Sequence, residues 1–184
     1  MNKIFLSIII LLTAINSFAM QKVTLQLKWF HQFQFAGYYA AKEKGYYKDV
    51  GLDVTIKERN LKYNNIKEVI EGKAQYGIAD SVLFLYKAKN EPIITVAPIF
   101  QHSANILISR KDRNIQTIKD LNNKKIIFYP NDADGFSLLA LLKKFDVDAE
   151  LIRKREKGDY KKVISKQVDL MPAYLTNEPF LFKE

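Results

Sequence analysis

Val23-Thr24-Leu25-Gln26-Leu27-Lys28-Trp29 alternates apolar and polar side chains without a break, which is the period-2 signature of a strand with one face on a core. The stretch after it changes period. Phe35 to Lys44 places Ala36, Tyr39, Ala40 and Glu43 on adjoining helical turns, and Gly45 stands where a helix ends on left-handed backbone. Leu52-Asp53-Val54-Thr55-Ile56 then alternates again as a second strand. A strand, a helix and a strand at this spacing predict parallel pairing through a right-handed crossover, and with it an α/β fold with parallel-rich sheets.

The rhythm continues outward from this unit. Asn64 caps a helix through Glu71 that carries Ile66, Val69 and Ile70 on one face, and Gly72 ends it. Gln75 to Ala79 reads as a short strand, and Asp80 or Ser81 as the cap of a helix from Val82 to Lys89. Ile93-Ile94-Thr95-Val96-Ala97 and Asn105 to Ser109 read as two further apolar strands. After Arg110 the pattern restarts. Thr117 opens a short helical turn before the strand Lys124 to Tyr129, and Asp134 or Gly135 begins a helix to about Phe145. Glu150 to Arg153, Tyr160 to Ser165 and Val168 to Met171 complete the run as strand, short helix and strand. Two runs joined near residues 109–116 predict two lobes, 20–109 and 110–184.

Residues 1–19 stand apart. Lys3 gives a positive start, an apolar stretch runs from Ile4 to about Ala14, and Ser17-Phe18-Ala19 ends in the small-x-small pattern of a cleavage site. These are the parts of a secretory signal peptide, and the apolar core is short for a membrane span, which takes roughly 20 residues. The expected compartment is the periplasm, with a mature chain from Met20. The 184 residues contain no cysteine, which excludes a disulfide framework, a thiolate metal site and a cysteine nucleophile.

The formal charge of +9 comes from 29 basic and 20 acidic side chains. The densest basic clusters, Lys124-Lys125, Lys143-Lys144, Arg153-Lys154-Arg155 and Lys161-Lys162, are dispersed and lack interleaved aromatics, so they read as a solvated surface, with nucleic acid not an expected partner.

In open α/β sheets ligands bind beyond the carboxyl ends of the strands. That rule selects Trp29 to Phe35, Ala79 to Ser81, Phe100 to Ser103 with Gln101 and His102, Pro130 to Gly135, and Ala173 to Glu178. These loops are rich in aromatic, amide, His and acidic residues, a set suited to a flat heteroaromatic ligand. Each has a plainer reading. Asp80-Ser81 is first a helix cap. Asn177-Glu178-Pro179 is a helix N-terminus with an early proline. Of Phe33, Phe35, Tyr38 and Tyr39, at least two belong to the core. Asp132 and Asp134 read as a solvated turn, and the two histidines, His31 and His102, are too few for a His-rich metal site.

Leu27 to Ala41, with Lys44-Gly45-Tyr46-Tyr47 and Gly51-Leu52-Asp53-Val54, resembles the opening of the thiamine-pyrimidine-precursor (SsuA/THI-like) family, closest to its bacterial sensor and transporter branch. Gly72 to Ile78, Ala97 to Ser103 and Ala173 to Pro179 resemble later segments of it. The resemblance implies a two-lobed type 2 periplasmic binding protein fold with the ligand clamped between lobes. It also implies a solute-binding function for a pyrimidine or similar heterocycle, serving an ABC transporter or a membrane sensor. By the same resemblance Trp29 would meet the ring with Phe35 and Tyr38 among the ligand-binding residues, His31 would sit beside it, Ser81 would donate from a helix start with Asp80 next to it in the site, Glu178 would bond ring or amino nitrogens, and Asn177 and Tyr174 would line the far lobe. The family's eukaryotic members are pyrimidine synthases that use pyridoxal phosphate, the alternative function. Their lysine and histidine positions fall here near Ala79 and Leu83, and their cysteine-rich segment has no counterpart, so no enzyme activity and no cofactor are expected. Relatives return the chain to the first lobe after the Asn-Glu-Pro segment. The expectation for this chain is therefore an incomplete first lobe with an unpaired strand edge and exposed apolar surface, and a fragment without function of its own is a third reading.

Overall fold

A computed structural model describes residues 19–182; the expected signal peptide, 1–19, lies outside the described residues except for Ala19. Among the described residues seven strands form two sheets. β1 (Gln21–Gln26), β2 (Leu52–Lys57) and β3 (Tyr76–Gly77) make a parallel sheet in the order β2-β1-β3. β4 (Asn105–Ser109), β5 (Lys125–Ile127), β6 (Glu150–Ile152) and β7 (Leu170–Tyr174) make a second sheet in the order β4-β7-β5-β6, parallel except for the antiparallel β4–β7 pair.

The first sheet follows its alternation. Val23, Leu25 and Leu27 are buried with Val54 and Phe35 in one cluster, and burial of a Leu27-sized side chain stabilises by roughly 2 kcal/mol. α1 (Ala36–Glu43), entered through a 3-10 turn at Phe33–Phe35, packs Tyr38 and Tyr39 on that cluster. Gly45 ends the helix at φ +81°, where a side chain would be strained, and α2 (Tyr46–Asp49) leads to β2. α3 (Asn65–Ile70) starts as expected, with the Asn64 side chain accepting from the backbone N–H of Ile66 and Lys67. Gly77 is required by packing: a Cβ there would lie 2.8 Å from a Val69 methyl.

The second sheet buries Leu121, Ile126, Leu142 and Leu170 on one side and Ile127, Val163, Val168 and Met171 on the other. α5 (Phe136–Lys144) covers the first side, α6 (Tyr160–Ile164) the second, and α7 (Glu178–Leu181) follows β7. The Thr117 expectation holds, since Thr117 and Asp120 form a reciprocal capping box. Gly135 meets the Phe128 ring so closely that a Cβ would fall 2.1 Å from it.

Three expectations change. β4, read with the first run, pairs in the second sheet, its partner β7 coming late in the sequence; periodicity reveals a strand but not its neighbour. Ile93–Ala97 forms no strand. The first sheet stops at β3 and no ladder reaches this stretch among the described residues, so Ile94 and Val96 stand 87% and 78% exposed. α4 (Leu83–Ala88) has no side-chain cap from Asp80 or Ser81, because the Asp80 carboxylate is drawn instead to the Lys28 ammonium.

Candidate functional site

The carboxyl ends of β1, β3, β5 and β7 converge on one cavity of about 320 Å³ between the two sheets. β1 ends by delivering Lys28 and Trp29. The alternation that buries Leu27 turns Lys28 to the opposite side, where its Nζ pairs with Asp80 and donates to the Tyr174 hydroxyl at 3.0 Å, 4.1 Å above that ring. Burial alone would lower the Lys28 pKa, but the Asp80 charge and hydrogen bond, joined by Tyr174, outweigh it and hold the ammonium above its ordinary value. The contact ties the end of the first sheet to β7 of the second.

Arg59, just after β2, makes a second tie. Its side chain is 2% exposed, bonded to Asn65 and paired at 2.6 Å with Asp134 from the turn before α5. Asn131 also donates to Asp134, at 2.9 Å. Arg155 makes a third. Its guanidinium holds Asp159 at 3.1 Å and the Pro172 carbonyl at 2.9 Å, and lies 5.0 Å above the Trp29 ring and 5.7 Å from that of Tyr129. Trp29 and Tyr129 meet edge to face at 6.1 Å. Burial pushes the Tyr129 hydroxyl up, keeping it neutral. Glu178 opens α7 with its carboxylate turned back to accept the Tyr174 N–H at 2.7 Å.

Of the residues given a ligand role from the sequence, the structure brings four into this cavity, Trp29, Asp80, Tyr174 and Glu178, and Gln32, Gln34, Ala79 and Ser103 of the selected loops join them. Asn177 lines a neighbouring hollow that shares Trp29, Arg155 and Glu178. The others lie elsewhere. Phe35 is buried in the first core and Tyr38 packs against it. His31 faces solvent, its Nδ1 bonded to the Tyr39 hydroxyl and its Nε2 3.8 Å from Glu58. Ser81, Gln101 and His102 are exposed and do not line the cavity. Sequence reading missed Lys28, Arg59, Tyr129 and Arg155 as lining residues and took Asp134 for a solvated turn. Only Lys28 and Tyr129 carried a signal, since both sit at strand ends.

A cleft at the strand ends between two α/β sheets is the architecture of the type 2 periplasmic binding proteins, and solved structures of that class match the chain. The alkanesulfonate-binding protein SsuA of Xanthomonas axonopodis pv. citri, bound to MOPS, aligns with a TM-score of 0.61 at 17% identity, covering 83% of this chain and 54% of its own. An ancestral arginine-binding protein bound to arginine aligns at 0.55 and 15% identity, covering 84% and 70%. The chain belongs to the NMT1/THI5-like family, whose model matches residues 32–183. Among curated relatives, the riboflavin-binding protein RibY of Chloroflexus aurantiacus is 25% identical over 171 residues, 87% of this chain and 47% of that protein. The chain thus spans about half the length of that relative, and 37% of a second one.

Proposed function

We propose that this chain carries the solute-binding site of an exported binding protein, and that the solute is a planar heterocycle of pyrimidine type. The observation that carries the reading is the cavity: Trp29, Tyr129 and Tyr174 supply aromatic wall, and Lys28–Asp80 and Arg59–Asp134 supply fixed charge in neutral pairs. Aromatic faces with a few placed polar groups suit a flat ring better than an aliphatic solute. All three ties run from the side of one sheet to that of the other, so a ligand between them would bear on both, as in a clamp that closes on its solute. The leader at residues 1–19 supports export to the periplasm. A transporter permease or a membrane sensor is the partner such a protein serves, and the lobes would divide in the segment before β4.

The reading is of binding and not catalysis. Ala79, near where the synthases place their cofactor lysine, lines the cavity with a methyl group. Lys28, the one lysine in that lining among the described residues, is held protonated by Asp80, whereas a Schiff-base lysine needs a depressed pKa.

The test is a thermal melt of the purified chain with pyrimidines, alkanesulfonates and amino acids. A ligand that binds only the native state at a hundred times its Kd adds about 2.7 kcal/mol to stability and raises the midpoint. A rise with pyrimidines alone is expected. A rise confined to sulfonates or amino acids would sink the heterocycle reading, and no rise with any compound would sink the binding reading itself.

A further inference from the structure

The polar groups of the cavity are unevenly satisfied. Each of its three carboxylates already holds a protein donor: Lys28 for Asp80, Arg59 and Asn131 for Asp134, the Tyr174 N–H for Glu178. Asp80 and Asp134 are thus paired with cations, and Glu178 accepts from a neutral backbone donor. The unmatched atoms are of another kind. The Nε–H of Arg59 and the Nε–H of Arg155, on residues 3% and 6% exposed, are buried without an acceptor, and Gln34 Oε1 is buried without a donor. All three residues line the cavity. A buried donor or acceptor without a partner is costly, and such groups in a native structure call for an explanation; a ligand that completes them is the simplest one.

Resting on the binding reading above, we infer that the solute carries an imide-type edge, two carbonyl acceptors flanking a ring N–H, read by Arg59, Arg155 and Gln34. Two free donors and one free acceptor are the complement of that edge. An amino-pyrimidine edge replaces a carbonyl acceptor with a donor and sets it against a guanidinium, which can only donate. A cationic aminopyrimidine presents the same mismatched edge, and its charge meets the two guanidinium groups with Glu178 alone to offset them. Discrimination of this kind is strong because the wrong ligand leaves buried polar groups unpaired. The guanidinium of Arg155 lies over Trp29, so the arginine that meets the ring edge also fixes the indole beside it.

Isothermal titration of the chain with uracil, cytosine, the tricyclic imide lumichrome and cationic thiamine tests this. The imides are expected to bind at least about tenfold more tightly than cytosine, and thiamine more weakly still. Arg155 also holds Asp159 and Pro172, so its removal risks the fold. Gln34→Leu is the safer variant, since the Gln34 carboxamide otherwise meets only Gln32, at 3.1 Å. In Gln34→Leu the uracil-to-cytosine preference should fall to about threefold or less while the melting point stays. A purely structural Gln34 would leave that ratio unmoved and overturn the inference, as would tighter binding of cytosine or thiamine by the unaltered chain. Failure of every ring to bind would overturn the underlying reading along with it.

Discussion

The end of β1 and the stretch Ile93–Ala97 both read as strands in the sequence and have opposite fates. β1 has a neighbour on both sides and leads directly into the fully buried Leu27, and the two residues after Leu27 line the cavity. Ile93–Ala97 has no strand neighbour among the described residues, and of its apolar residues only Ile93 is buried, against Ile66 and Val82. With Ile99 and Phe100, 62% and 45% exposed, it forms an apolar run along the surface. The lesson is that a strand pattern states what a segment can do once it is paired. Without a partner the backbone takes no ladder, however apolar the side chains.

The largest effect that sharpens this contrast is expected at the cavity. Asp134→Ala leaves the Arg59 guanidinium charged and buried, with Asn65 its one remaining side-chain partner, and breaking a buried pair on one side costs about 3–5 kcal/mol. Urea unfolding measures it. A cost under about 1 kcal/mol would mean that water reaches Arg59 and that the tie behaves as a surface ion pair.

The next pair of substitutions tests the two stretches directly. Leu27→Ala opens a void in a packed cluster and should cost about 2–5 kcal/mol. Ile94→Ser removes a side chain that already faces water and should move stability by no more than about 0.5 kcal/mol. If the two costs match, residues 93–97 are covered in solution and the contrast fails.

The same contrast explains what was legible in the sequence. β1 and β2 were readable because one face of each is core and the other is not, which writes a period of two into the chain. Asn64 and Gly45 were readable because a cap and a left-handed turn each favour few residue types. Trp29, Asp80, Tyr174 and Glu178 were found by a rule about strand ends that needs no partner information. Arg59 and Arg155 were not readable. A buried arginine writes no periodicity, and Arg155 sits in Arg153-Lys154-Arg155, whose first member is an exposed residue paired with Asp132. One member of a basic cluster faces water and another lies under the floor of the cavity, and only the arrival of Trp29 and Asp159 from elsewhere in the chain decides which. His31, Phe35 and Ser81 miss the cavity for a related reason: loop residues fan out after a strand end, and sequence distance does not say which of them turns inward.

The smallest effect concerns pH, and it separates the cavity from the exposed run because residues 93–100 carry no titratable side chain while the cavity holds Lys28 and Tyr129, both shifted. The Lys28 pKa is raised in the folded chain above its ordinary 10.5. The folded state then holds the proton more tightly than the unfolded one. Its contribution to stability is present in full below about 10.5 and is lost as pH rises through the folded value. Tyr129, raised by burial, acts in the same direction from about pH 10 upward. Urea midpoints taken from about pH 9 to about pH 11.5 should therefore fall, and part of that slope should vanish in Lys28→Met and another part in Tyr129→Phe. Lys28→Met is tolerable because Asp80, 39% exposed at its side chain, can return to water. An unchanged alkaline slope in Lys28→Met would show that the ammonium is not held by Asp80 and Tyr174, and the cavity would then lose one of the ties that join its two sheets.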